Sequence, residues 1–112
     1  MKVYVVSQMD HYDDYKRGET GYTIVKVIQD KEKAYEFAHN KQLKDMRKDN
    51  LVADNDEENE EGLPTYSRDE KDKTWKVSYG KLIKYFDKVL NEPEFTAMAS
   101  QRRFLVVERT LE

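Results

Sequence analysis

Residues 22–38 read YTIVKVIQDKEKAYEFA, and within this stretch a strand pattern changes directly into a helix pattern. Its first half is rich in β-branched residues between Thr23 and Ile28, which suit a half-buried, pleated strand. Asp30 then provides the short acceptor side chain that satisfies the free amide groups in the first turn of a helix. The stretch therefore predicts a strand, a cap and a helix that begins at Lys31.

Two further segments have strand patterns. Residues 2–9 alternate between two faces and predict the first strand. Residues 102–111 predict the last strand, and the apolar run from Phe104 to Val107 is typical of a central strand. Its late position suggests that it pairs with the first strand. The polar, glycine-containing residues 10–21 predict a long loop between the first two strands.

The first helix has apolar residues on two sides. A stripe from Ala34 to Ala38 faces the predicted core, whereas Leu43 and Met46 fall on a different side. Either the helix bends or ends near Asn40, or its second half packs on something other than the sheet.

The second helix has the clearest helical periodicity in the chain. It is predicted to start after Ser78 as its cap, and Thr74 to Val77 are predicted to form an extended lead-in or a short strand. Its apolar residues fall on one stripe: Tyr79, Leu82, Ile83, Phe86, Val89 and Leu90. The fold class predicted from all five segments is α+β in the order ββααβ, with a mainly antiparallel sheet of about three strands and two helices on one face.

Size and composition limit the class of protein. The chain has 112 residues, of which 38% are hydrophobic and 38% charged, so we predict one domain over residues 1–112 with a thin core. It has no cysteine, which excludes disulfides, thiolate zinc sites and cysteine nucleophiles. It also has no apolar run long enough for a secretory signal or a membrane span, so we expect a soluble, cytoplasmic protein.

Charge is distributed unevenly along the chain. Residues 1–48 carry ten Lys/Arg against eight Asp/Glu, residues 49–72 two against ten, and residues 73–112 eight against five. One segment therefore holds nearly all the net acidity, and the rest of the chain is basic at +5. Because that segment also includes the run DNDEENEE at 54–61, we predict a mobile acidic loop at about 49–72.

Candidate sites for chemistry are few. His11 with its neighbouring aspartates at 10, 13 and 14 is the densest set of metal-ligand types, but adjacent loop residues rarely point at one centre. His39 lies on the first helix and is predicted to be a surface or edge residue. None of the common catalytic or nucleotide-binding motifs occurs. We therefore assign no catalytic, cofactor-binding or metal-binding residues and expect no enzyme, although a small hydrolase or metal-dependent enzyme using residues 10–14 is a further alternative.

The segments KVYVVSQ, IVKVIQDKEKAYEFA and FLVVERTLE together resemble small, mostly uncharacterised proteins of bacteria and their phages. In those proteins a strand hairpin feeds a helix and a final strand closes the sheet. The resemblance covers about half of the chain and its motifs are structural, so it implies a fold and not an activity. The acidic insert and the second helix depart from the shorter pattern.

The predicted function is a non-enzymatic protein-interaction module or accessory factor of a phage or other mobile element, with a homodimer as one form. Apolar surfaces without an assigned partner carry this prediction, and the candidate partner-binding residues are Leu43, Met46, Phe104 and Val106. The alternative is nucleic-acid binding through a Lys/Arg face, formed by Lys41, Lys44, Arg47, Lys48, Arg102 and Arg103. An overall pI near 5.5 counts against that alternative.

Overall fold

The computed structural model describes residues 1–11, 20–48, 51–53, 65–90 and 101–111. Within these ranges the chain forms three strands and two helices in the predicted order ββααβ. They are β1 (Lys2–His11), β2 (Thr20–Ile28), α1 (Lys31–Lys48), α2 (Trp75–Leu90) and β3 (Gln101–Thr110).

The three strands form one antiparallel sheet in the order β2-β1-β3, which confirms the α+β fold class. β3 pairs with β1, as predicted from its position in the chain, and Val5 at the centre lies opposite both Val27 and Val107. The interpretation of β3 as a central strand is wrong, because β1 lies in the middle and β3 lies at an edge. Its apolar run is instead explained by α1 on one side and, on the other, by a sheet face that no described helix covers.

A β-bulge in β2 decides which side chains face α1. Val6 lies opposite Lys26 and Ser7 lies opposite Ile24, so Val25 is the extra residue. Val25 packs with the core beneath α1, and the ammonium group of Lys26 reaches the ring of Phe37. The side chains of Val25 and Lys26 therefore both point toward the helix, as is common in a β-bulge, where two residues of one strand lie opposite a single residue of its neighbour.

The first of two apolar cores lies between the sheet and the first half of α1. Its buried members are Tyr4, Val6, Ala34, Ala38 and Phe104. Small alanines at i and i+4 let the helix approach the strands closely, since they bring little volume to the contact.

The cap that positions α1 forms as predicted. The backbone N–H of Lys33 donates to Oδ1 of Asp30 at 3.1 Å, and the N–H of Ala34 donates to the Asp30 carbonyl at 3.0 Å. The helix continues past Asn40 to Lys48, so its second half packs on something other than the sheet. That outcome was one of the two alternatives drawn from the sequence.

The second core lies between the second half of α1 and the apolar stripe of α2. Its buried members are Met46, Leu51, Val52, Leu82, Phe86 and Val89, with Leu43, Tyr66 and Tyr85 packed against it. Leu51 and Val52 belong to the segment predicted as a mobile acidic loop, yet they are 1% and 2% exposed. The acidic run at 54–61 itself lies outside the described residues.

α2 begins earlier than predicted. The structure shows neither a strand nor an extended lead-in between Thr74 and Val77, because the helix already starts at Trp75. Thr74 is the cap, since its Oγ1 accepts the N–H of Val77 at 3.2 Å. Glu32 of α1 accepts the N–H of Trp75 at 2.9 Å, so one carboxylate joins the two helices.

Candidate functional site

The face of the sheet opposite α1 is apolar and carries no helix within the described residues. Side chains directly opposite one another in an antiparallel sheet share a face, so Val27, Val5 and Val107 form one row across the three strands. The next row is Ile24, Ser7 and Leu105, and Met9 follows with Tyr22. We call the surface formed by these two rows with Met9 and Tyr22 the open face.

Exposure on the open face is concentrated on β2. Tyr22 and Ile24 are each 67% exposed and Val27 is 54% exposed. Val5, Leu105 and Val107 are half-buried among their neighbours, and Val3, further along β1, is buried. The open face therefore has its most accessible apolar side chains at the outer margin of the sheet.

A groove of about 540 Å³ lies between β2 and α1 on the opposite side of the sheet. It is lined by Lys26, Ile28, Lys33, Glu36, Phe37, Asn40, Lys41 and Lys44. Phe37 is half-buried, and the ammonium groups of Lys26 and Lys41 lie 5.1 and 5.8 Å from its ring centroid. The lining thus combines an aromatic floor with four cations and one carboxylate.

His39 is buried between the two helices at 2% exposure, so its predicted surface position is wrong. Its Nδ1 lies 3.1 Å from Oδ1 of Asn40 and its Nε2 lies 3.1 Å from the Tyr66 hydroxyl. Because the amide oxygen only accepts, Nδ1 carries the proton and Nε2 accepts from Tyr66. The ring also meets Trp75 edge-on at 5.2 Å between centroids.

Burial determines the protonation states in this cluster. Desolvation lowers the pKa of His39, with Arg68 acting in the same direction, while Asn40 and Asp72 oppose the shift. Desolvation likewise raises the pKa of Tyr66, so its hydroxyl stays a donor to the neutral ring. This arrangement serves packing between α1 and α2, since both imidazole nitrogens are already occupied by hydrogen bonds.

Ser78 and Asp72 are similarly engaged at the start of α2. The buried Ser78 hydroxyl donates to Oδ2 of Asp72 at 2.8 Å, and Lys81 donates to the other carboxylate oxygen. These hydrogen bonds, that from Lys81 first, hold the pKa of Asp72 below its usual range. Ser78 therefore donates to a carboxylate that stays ionised.

The residues predicted to bind a protein partner lie in the cores. Met46 and Phe104 are 0% and 4% exposed, and Leu43 and Val106 are half-buried against the two cores. They contribute to the interior and not to an accessible surface. On β3, the side chains that reach the open face are their neighbours Leu105 and Val107.

The residues predicted to bind nucleic acid divide into two groups. Lys41 and Lys44 line the groove, and Lys48 is exposed at the end of α1. Arg102 pairs with Asp45 at 3.6 Å and Arg103 pairs with Asp87, so both join β3 to the helices. Arg47, half-buried in the last turn of α1, completes the predicted set.

Residues missed from the sequence include Lys26 and Lys33, which complete the lysine lining of the groove. The β-bulge that turns Lys26 toward α1 cannot be recognised from the sequence pattern of the strand. Lys33 lies one turn before Phe37 and two turns before Lys41, and this helical spacing was the signal that could have identified it.

The alternative metal site at residues 10–14 lies outside the described side chains. Among the side chains that the structure describes, no group of three or more metal-ligand types comes together. In the same part of the chain, neither helix has the length and apolar content needed to cross a membrane.

Comparisons of the chain with protein-family models, with curated proteins and with solved structures found no match. The resemblance to small bacterial and phage proteins therefore stays a prediction from the sequence. The proposals below depend on the geometry and chemistry of the open face and the groove.

Proposed function

We propose that this protein is a non-enzymatic interaction module that self-associates through its open face. The observation that carries the proposal is the exposure of Tyr22, Ile24 and Val27 on one face of a β-strand, at 67%, 67% and 54%. Contiguous apolar surface of this kind mostly marks protein interfaces, because covering it removes apolar area from water at about 25 cal/mol per Å².

A second copy of the chain matches the open face in size and shape. Strands of nine and ten residues in a three-stranded sheet make a face of roughly 30 by 14 Å. Small specific interfaces bury about 600 Å² of accessible surface per partner, so the whole of this face has to be covered. A single helix, about 10 Å wide, covers only part of it, whereas a second open face covers it all.

The charges around the open face also permit a symmetric dimer. The register of β3 places Arg103 and Arg109 on this side of the sheet, but the Arg103 guanidinium turns to Asp87 of α2, which leaves Arg109 as the cation that this strand brings to the open face. A two-fold axis along β1 would place the β3 margin of one copy over the β2 margin of the other. Arg109 then lies near the Val27 end of β2 in the other copy and stays apart from its symmetry mate, in the aligned packing that sheets adopt.

The non-enzymatic part of the proposal is supported by the roles of the described titratable groups. His39 is held neutral between two hydrogen bonds, and Ser78 is buried with its proton directed at Asp72. Both side chains stabilise the contact between helices, which occupies the atoms that acid–base or nucleophilic chemistry would need.

Size-exclusion chromatography with light scattering tests the proposal. We expect a dimer mass over protein concentrations from about 5 to about 500 µM, the range suited to a small interface. Ile24→Lys and Val27→Lys should yield monomers, since each places a charge within the dimer interface. Val77→Lys is the matched control, because Val77 is an exposed valine (45%) on α2, away from the sheet.

Circular dichroism and thermal melts establish that each variant keeps its fold. A wild-type protein that is monomeric over the whole range contradicts the proposal. A dimer that survives Ile24→Lys and Val27→Lys also contradicts it, because the interface then lies elsewhere.

A further inference from the structure

The groove between β2 and α1 brings together four lysines that form no ion pair, whereas several other cations of the described chain are paired. Lys81, Arg102 and Arg103 each form an ion pair with an aspartate. Within the described ranges, by contrast, no carboxylate lies within 4.0 Å of the ammonium groups of Lys26, Lys33, Lys41 or Lys44. Glu36 is the one acid among the lining residues, so the groove carries three excess positive charges.

These charges form a line and not a cluster. Lys33, Phe37, Lys41 and Lys44 follow one stripe of α1 at helical spacing, and Lys26 lies across the groove on β2. From Lys33 to Lys44 the helix rises about 16 Å. A compact anion could reach only part of this line, and a pocket for a small ligand would enclose it more completely than an open groove does.

The dimensions suit a chain with a repeating negative charge. A nucleic-acid strand carries one phosphate per roughly 3.4 Å when stacked, so about 16 Å corresponds to roughly four or five nucleotides. Single strands also expose base faces, and Phe37 on the groove floor offers an aromatic ring for one of them. The ammonium groups of Lys26 and Lys41 lie over that ring, so a base that stacks on Phe37 would have to displace them from it.

We propose that this groove binds single-stranded nucleic acid, with Lys26, Lys33, Lys41 and Lys44 contacting phosphates and Phe37 stacking on a base. The acidic character of the whole chain does not oppose this, because residues 49–72 hold ten of its Asp/Glu and the remainder has a net charge of +5. The groove lies on the helix side of the sheet, so it stays accessible when two open faces pack together.

Fluorescence anisotropy with a labelled oligothymidylate of about 12 nucleotides tests the proposal. We expect binding at about 20 mM salt that weakens toward about 200 mM, with a log–log slope of about −2 to −3 for three to four phosphate contacts on a single strand. The double variant Lys41→Gln/Lys44→Gln should flatten the slope by about 1.4.

A matched control separates the groove from general charge. Lys76→Gln/Lys88→Gln removes the same two charges from exposed positions on α2 and should leave the slope unchanged. Phe37→Leu should weaken binding by about 5- to 100-fold with little change in slope, since it removes stacking and keeps the cations. Thermal melts of each variant report on folding.

Three results would overturn the proposal. The first is an absence of binding at the lowest salt, and the second is an equal loss in the groove and control double variants. The third is displacement of the oligonucleotide by polyglutamate or by duplex DNA at equal charge concentration, which would mean an acidic peptide site or unspecific attraction. None of these readouts depends on the oligomeric state, so this inference and the proposed dimer can fail separately.

Discussion

The carboxamide oxygen of Gln42 accepts a hydrogen bond from the backbone N–H of Phe104 at 2.9 Å, while its nitrogen donates to the carbonyl of Arg102 at 3.0 Å. A buried side chain of α1 thus makes the pair of hydrogen bonds that a fourth strand would make with the outer edge of β3. The Tyr79 hydroxyl donates to the next outward carbonyl, that of Phe104. Burial, with a smaller contribution from Tyr35, raises the pKa of Tyr79 to about 12, so this donor keeps its proton.

These contacts make the two edges of the sheet unequal. Gln42 and Tyr79 form hydrogen bonds with the backbone groups around Phe104 that point away from the sheet. These groups are therefore not free to pair with another strand at the edge of β3. β2 has no such cover from described side chains and is also where the most exposed residues of the open face lie. Among the described residues, the outer edge of β2 is therefore less obstructed by side chains than the outer edge of β3.

Replacing Gln42 by leucine should lower the free energy of unfolding by about 2–4 kcal/mol. The apolar side chain fills similar space but leaves the N–H of Phe104 and the carbonyl of Arg102 without partners, at about 1–3 kcal/mol each. Urea denaturation measures the loss. Gln29→Leu, at an exposed glutamine after β2, is the control and should change stability by less than about 0.5 kcal/mol; equal effects of the two substitutions would contradict the role of Gln42.

Sequence patterns predicted the elements of this fold better than their contacts. The strand, cap and helix around Asp30 were predictable because each depends on neighbours within a few residues. The role of Gln42 was not, because its partners are about 60 residues away and a glutamine on a helix is usually a surface residue. Leu51 and Val52 were missed because two apolar residues beside an acidic run give no periodicity.

The candidate surfaces were predictable only in part. Lys41 and Lys44 were identified as basic positions, but their grouping with Lys26 depends on a bulge that only the register of β2 reveals. Phe104 and Val106 were chosen as partner-binding residues because β3 is apolar on both faces. The alternation of residues along a strand cannot tell which face of the sheet a helix covers. The structure shows that α1 covers the face that carries Phe104 and Val106.

Truncation of Leu51 should test whether the segment after α1 belongs to the second core. Leu51 is 1% exposed and packs with Met46 and Leu82, so Leu51→Ala should cost about 2–5 kcal/mol through lost burial and a cavity. Leu111→Ala, at a leucine that is 53% exposed, should cost less than about 0.5 kcal/mol. Denaturant midpoints of the two variants measure the difference, and a small loss for Leu51→Ala would mean that residues 51–53 add little to the core.

The cap of α2 provides a third test. Thr74→Ala removes the acceptor for the N–H of Val77 and should lower stability by about 1 kcal/mol, whereas Thr74→Ser keeps the oxygen and should recover most of it. Thr65→Ala, at an exposed threonine outside any helix or strand, controls for loss of a threonine. If Thr74→Ser is as unstable as Thr74→Ala, the hydroxyl is not the stabilising group.

His39 should make the protein less stable as the pH falls from about 7 to about 5. Its pKa in the folded chain lies below the value of about 6.5 for an unfolded histidine, so the unfolded chain binds the proton first as the pH falls. The free energy of unfolding therefore falls progressively below about pH 6.5, and it stops falling once the pH is below the pKa of His39 in the folded chain. His39→Gln removes this titration and should flatten the stability profile between about pH 7 and about pH 5.

Below about pH 4 the wild-type protein and His39→Gln should lose stability together. The hydrogen bonds from Lys81 and Ser78 hold the pKa of Asp72 below its usual range, so the unfolded chain binds this proton before the folded chain does. Urea unfolding at successive pH values measures the profiles, with His11→Gln in parallel to separate the two histidines. If His11→Gln flattens the profile and His39→Gln does not, the neutral, hydrogen-bonded state of His39 is not what makes the fold acid-sensitive.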